Sequence, residues 1–171
     1  MRVRILGYLL LIFFAARFAS AATETHYNLE AIRLNNRGVA LMGQQFTQRA
    51  ATTFAEAFKK DPKFAQAEIN EGIALLTLQK LSAARQTFHK AIALDPDSAQ
   101  AWYNLGLVQH SANDLQQAIA SFRRAATLDP HDADSLYFEG ACLAEMKQFD
   151  KAIDVFKKVL AINPLHASAE F

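Results

Sequence analysis

The chain contains only four prolines, Pro62, Pro96, Pro130 and Pro164, and each stands 34 residues from the next. Each follows a short polar residue, Asp61, Asp95, Asp129 or Asn163. A fixed period of this length is the mark of an architecture assembled by stacking one unit on the next. Other residues keep the same step: Gly38, Gly72, Gly106 and Gly140 recur, as do Phe54, Phe88, Phe122 and Phe156. Ala50, Ala84 and Ala118 are followed in phase by Ala152.

Within each period the pattern predicts two helices. From Ala99 to Ala112 the apolar residues Trp102, Leu105 and Val108 recur at helical spacing. Asn113 and Asp114 then break the run, since both favour turns and Asn tolerates a left-handed backbone. Leu115, Ala118, Ile119, Phe122, Ala125 and Ala126 make the second stripe, which ends at Leu128. The Asp before Pro130 is pushed away from helical geometry and stops the helix. The recurring Gly and Ala let two helices approach closely, and the recurring Phe fills the adjoining hole.

The order Trp, Leu-Gly, Ala, Phe, Ala, Pro resembles the tetratricopeptide repeat. The third repeat carries it best, through Trp102, Leu105, Gly106, Ala118, Phe122, Ala125 and Pro130. The resemblance runs from Ala31 to His166, in repeats 31–64, 65–98, 99–132 and 133–166. Residues 22–30 precede it as an N-terminal extension, and 167–171 are in phase with the start of a fifth repeat. It implies an all-α fold, a right-handed α-solenoid of four tandem helix-turn-helix repeats. There are departures. Leu34, Glu68 and Leu136 replace the Trp, Arg37, Glu71 and Glu139 stand where Leu105 does, and Gln109 takes the place of Leu41, Leu75 and Leu143. Thr47 stands where Leu81, Leu115 and Phe149 close the turn.

The chain begins MRVRILGYLLLIFFAARFASA, a basic start, an apolar run from Ile5 to Ala16 and an Ala-x-Ala end. That is the pattern of a secretory signal peptide, 1–21, cleaved between Ala21 and Ala22. The apolar run is short of the ~20 residues that span a bilayer. The leader suits a bacterial protein that is exported to the periplasm or secreted, with no stable membrane anchor after cleavage. Loss of Arg2, Arg4 and Arg17 from the 18 basic residues leaves fewer than the 17 acidic ones, a balance that argues against nucleic acid as ligand. The lone cysteine, Cys142, shares its repeat place with Ala40, Ala74 and Val108, which reads as a small buried side chain rather than a bridge.

No enzyme signature is found. His26, His89, His110, His131 and His166 lack metal-ligand spacing, and there is neither a phosphate loop nor a G-x-S-x-G turn. No cofactor, metal or catalytic residue is therefore expected. What the family's geometry implies is a peptide-binding groove lined by the first helices. Asn36, Asn70 and Asn104 take one groove place, with Phe138 in the fourth repeat. An Asn amide both donates and accepts, so a row of them suits the backbone of an extended peptide. Ile69, Tyr103 and Tyr137 lie beside the row, with Val39, Ile73 and Leu107 one turn on. The Lys and Arg clamp by which chaperone adaptors of this family hold a terminal carboxylate is absent here. His89-Lys90, Arg123-Arg124 and Lys157-Lys158 make a basic stripe on the second helices, read as a solvated outer face.

The sequence thus points to a non-catalytic protein- or peptide-binding scaffold of an extracytoplasmic compartment. The competing reading is the N-terminal interaction module of a longer exported protein whose activity lies downstream. The final helix, about Phe149 to Ile162, carries Ile153, Phe156, Val159 and Leu160 without a complete following helix, which predicts either self-association through that end or the lowest stability there.

Overall fold

The computed structural model describes residues 26–164; the leader, its cleavage point and the in-phase residues after His166 lie outside the described residues. Among the described residues eight helices follow one another: α1 (Leu29–Gly43), α2 (Thr47–Lys60), α3 (Ala65–Thr77), α4 (Leu81–Leu94), α5 (Ala99–Ser111), α6 (Leu115–Leu128), α7 (Ala133–Glu145) and α8 (Phe149–Ile162). They pack as four pairs, and each second helix also packs on the first helix of the next pair. This is the all-α solenoid expected, with no strand among the described residues.

The turn inside every pair has one design. Gln45, Gln79, Asn113 and Lys147 adopt positive φ angles of 63°, 58°, 61° and 60°. The amide of the next residue then reaches back to the last turn: Phe46 to Leu41, Lys80 to Leu75, Asp114 to Gln109 and Gln148 to Leu143, at 2.8–2.9 Å. This left-handed stop satisfies carbonyls that the helix end would leave bare. Of the four, only Asn113 is a residue type that favours the conformation.

Between pairs the Asp-Pro step takes over. Asp61, Asp95 and Asp129 leave the helix with φ of −143°, −136° and −125°. Each carboxylate accepts from the amide two residues on, from Lys63, Asp97 and His131. The proline thus ends the helix and the Asp side chain closes the turn over it.

The periodic glycines serve close packing. A Cβ placed on Gly38, Gly72, Gly106 or Gly140 would lie 2.4, 2.6, 2.6 or 2.7 Å from the ring of Phe54, Phe88, Phe122 or Phe156. All four rings are buried, so each pair is locked by a phenylalanine seated against a bare backbone. Across pairs, α1 reaches α3 and α3 reaches α5, whereas no two second helices come comparably close. The stack therefore curves with α1, α3, α5 and α7 on its inner wall.

Candidate functional site: the inner wall

Side chains bridge successive first helices along this wall. The Asn70 amide on α3 donates to Asn35 Oδ1 on α1 at 2.8 Å and accepts from Gln66 Nε2 at 3.1 Å. Gln66 also donates to Gln100 Oε1 on α5 at 3.3 Å. Further along, His110 on α5 meets Glu145 on α7 at 2.7 Å. The result is a chain of amides, Asn35–Asn70–Gln66–Gln100, that holds three first helices in register.

This changes the role of the asparagine row. Asn70 is engaged on both sides, and Asn104 is nearly buried, donating to the Gln100 carbonyl of its own helix at 2.8 Å. Asn36 alone of the three is exposed. Ile69 is 2 % exposed and belongs to the core rather than to the wall's surface. The sequence reading missed Asn35, Gln66 and Gln100. A signal for two of them was present, since Gln66 and Gln100 recur one period apart and continue in phase to Asp134.

The other expected residues are gathered between α5 and α7. Tyr103 lies 5.9 Å from Phe138, and Phe138 lies 5.4 Å from Tyr137, ring centre to ring centre. All three are half-buried. Buried rings of the second helices support them: Phe122 is 5.8 Å from Tyr103 and 5.4 Å from Phe138, and Phe156 is 5.8 Å from Tyr137. Edge-on and offset contacts at these separations suit the ring quadrupoles. The platform is thus built on the same phenylalanines that lock the pairs.

Burial pushes the Tyr103 hydroxyl up to about 12, and the charges of Asp134 and Asp132 add to the shift. Asp132 caps α7, its Oδ1 accepting from the amides of Asp134 at 3.0 Å and Ser135 at 3.3 Å. The Asp134 side chain is exposed. Tyr103 stays neutral across the physiological range, able to donate or accept a hydrogen bond but not to act as a base.

The basic stripe on the second helices is largely neutralised in place. Arg123 bonds Glu139 at 2.7 Å, Arg124 bonds Asp97 at 3.0 Å, Lys157 lies 3.7 Å from Asp154 and Lys90 lies 3.8 Å from Glu68. These pairs fit the solvated outer face read from the sequence. Among the described residues no cluster of His, Cys, Asp and Glu is arranged to hold a metal ion. No helix there is long and apolar enough to cross a membrane. Hollows at Glu30, Leu34, Glu56 and Lys60, and at Lys147 to Lys151, are not lined by Tyr103 or Tyr137.

Comparison with known proteins agrees with this geometry. A family profile described as tetratricopeptide repeat matches residues 35–88 and 69–133, and a second of the same description matches 109–169. Among solved structures, the chain is similar to MamA (41-end) from Desulfovibrio magneticus RS-1, with 26 % identity over 80 % of this chain and 77 % of that one, and a TM-score of 0.73. Another MamA crystal structure matches at 25 % identity over 82 % of this chain and 76 % of that one, with a TM-score of 0.75. PilF of Pseudomonas aeruginosa shares the fold at 22 % identity and a TM-score of 0.75, over 82 % of this chain and 64 % of that one. A search of curated proteins finds no match.

Proposed function

The chain belongs to the tetratricopeptide repeat family, whose members are protein-interaction scaffolds, and we propose that it is a non-catalytic scaffold that receives an extended peptide on its inner wall. The observation that carries this reading is the half-buried platform of Tyr103, Tyr137 and Phe138. Such rings offer apolar area at little conformational cost, and a tyrosine ring also carries a polar tip. Asn36 and Asn70 extend the contact, Asn36 through its exposed amide and Asn70 through the amide hydrogen left over from its bond to Asn35, while the nearly buried Asn104 stays bonded to its own helix.

We place the protein outside the cytoplasm, on the strength of the basic and apolar leader with its Ala-x-Ala end. Intact mass of the protein recovered from the periplasm or medium tests this; a retained leader overturns it. Self-association is the second contact proposed, supported by Phe149, Ile153 and Ile162 of α8, which are 60 %, 43 % and 37 % exposed. Sedimentation velocity over a range of concentrations tests it.

The groove reading is tested with a photo-crosslinking residue at Tyr137, compared with the same residue at Lys158 on the outer face. Adducts to a partner protein are expected at position 137 and not at 158. Adducts confined to 158 would overturn the reading.

A further inference from the structure

The two ends of the described stack differ in chemistry. In the later first helices Ala67, Ala101 and Ser135 are fully buried, as are Ala74, Val108 and Cys142. At these two places α1 carries Arg33 and Ala40, and both are exposed. Arg37 is likewise exposed where Leu105 and Glu139 are buried. Ala40 shows that the difference is one of cover, since Ala74 is the same residue type. No helix precedes α1 among the described residues. The uncovered face of α1 is therefore charged, with Arg33 lying 4.0 Å from Glu30 of the same helix.

At the other end, Phe149, Ile153, Lys157 and Leu160 of α8 fall on one stripe at helical spacing. Ile153 is 43 % exposed, whereas Ile119 and Ala51, at the same place in helices that another pair follows, are 7 % and 4 % exposed. Lys157 is the one charge of this stripe. It lies 3.7 Å from Asp154 between two exposed side chains, and Asp150 stands on the same flank. Lys151 and Lys158 are on the opposite side of the helix.

The joints inside the stack show what a copy stacked head to tail, α8 on α1, would meet. Where α6 meets α7, Arg123 bonds Glu139 at 2.7 Å, and where α4 meets the turn before α6, Arg85 bonds Asp114. In the same register Lys157 would face Arg37, and Ile153 would face Phe46. Arg33 would enter the place at which Ala67, Ala101 and Ser135 are buried. One apolar contact is gained against a like-charge pair and a buried guanidinium, and the buried charge is the larger effect.

Resting on the self-association reading above, we infer that a second copy covers α8 in a closed pair: two α8 helices packed antiparallel about a two-fold axis, with both α1 faces left to solvent. Antiparallel packing brings Phe149 of one copy to Leu160 of the other. It also brings Lys157 to the Asp150 and Asp154 flank of the other copy, whereas a parallel pair would set Lys157 against its own equivalent. An isologous pair of this kind uses up the apolar stripe and stops at two.

Sedimentation velocity over a range of concentrations tests this on the unchanged chain and on Ile153→Glu, Lys157→Glu and Arg37→Glu. Circular dichroism checks that each variant keeps its helices. The unchanged chain should stop at the dimer. Ile153→Glu should raise the dimer dissociation constant at least about tenfold. Lys157→Glu should raise it about threefold or more, because the new carboxylate faces Asp150 and Asp154. Arg37→Glu, far from the axis, should leave it within about twofold. In a head-to-tail stack the signs reverse: Lys157→Glu and Arg37→Glu would each create a pair like Arg123 with Glu139 and tighten association. Species beyond the dimer, tightening by either of these variants, or no effect of Lys157→Glu overturns the closed pair. Self-association through α8 survives those outcomes if Ile153→Glu still weakens it. A monomer at every concentration, or a dimer that Ile153→Glu leaves intact, means that the residues after Pro164 or an unrelated protein cover α8, and both readings then fail together.

Discussion

The Ser121 hydroxyl on α6 donates to Gln109 Oε1 on α5 at 2.7 Å, inside the third helix pair, where both side chains are buried. The other repeats place Leu41, Leu75 and Leu143 at the position of Gln109, and Thr53, Thr87 and Val155 at that of Ser121. The third pair has therefore exchanged an apolar contact for a hydrogen bond. Thr53 and Thr87 donate to the carbonyls of Arg49 and Ala83 in their own helices. Ser121→Val should cost about 1–3 kcal/mol, because Gln109 loses its partner in a buried site. Gln109→Leu should cost less, since the freed serine can turn back to its helix as Thr53 and Thr87 do. The double change reproduces the Leu143 and Val155 arrangement and should recover most of the loss. Urea unfolding of the four proteins measures the coupling.

A second prediction concerns Glu68. Its side chain is 1 % exposed, neither carboxylate oxygen has a hydrogen-bond partner, and Lys90 stands 3.8 Å away. Burial raises its proton affinity above the ordinary carboxylate value; Lys90 opposes the shift and Glu71 adds to it. Glu71 is raised by burial as well, again with Lys90 opposing. A raised folded value gives stability that is fully present below the unfolded pKa of about 4.3, and that is lost as pH rises through the folded value. Leu34 and Leu136 hold the same repeat place. Glu68→Leu should thus stabilise the chain by roughly 1–3 kcal/mol at neutral pH, and its advantage should shrink toward pH 4. Thermal melts across that interval check both the sign and the window.

A third follows from the left-handed turns. A side chain at positive φ costs about 1 kcal/mol, which glycine escapes, although glycine also loosens the unfolded chain. Gln79→Gly and Lys147→Gly should each raise stability by about 0.5 kcal/mol or slightly more. Gln79→Val should lower it clearly. Chemical denaturation midpoints discriminate these outcomes.

These turns also mark where the sequence stopped being informative. The stack was legible because proline, glycine and phenylalanine each have one strong physical use, and their period exposes it. The turn conformation was legible only at Asn113; Gln45, Gln79 and Lys147 adopt it because the packed helices on either side leave the chain no other path. On the inner wall, Tyr103, Tyr137 and Phe138 could be placed by phase. The pairing of Asn70 with Asn35 could not, because Asn35 lies one residue off the asparagine row and repeats in no other unit. Glu68 read as a lost tryptophan, and its burial follows from neighbours that close over the site whichever residue occupies it.

A fourth prediction concerns Cys142. Its side chain is fully buried, and burial, aided by the charges of Glu145 and Glu139, pushes the thiol up to about 11. Reaction requires both thiolate and access. Iodoacetamide at pH 8 should modify the unfolded chain at least ~100-fold faster than the native one, as followed by intact mass. Equal rates would show that the α7–α8 pair opens readily.

The phenylalanine locks have a genetic consequence. Each ring closes against a glycine of its own pair, at the same offset every time. An in-frame duplication or deletion of one full period leaves every glycine with its phenylalanine, wherever the breakpoints fall. An event of another length that falls between a glycine and its phenylalanine splits that lock and leaves a ring without its seat. Lineages carrying such a gene should therefore vary in the number of helix pairs far more readily than in the length of any one.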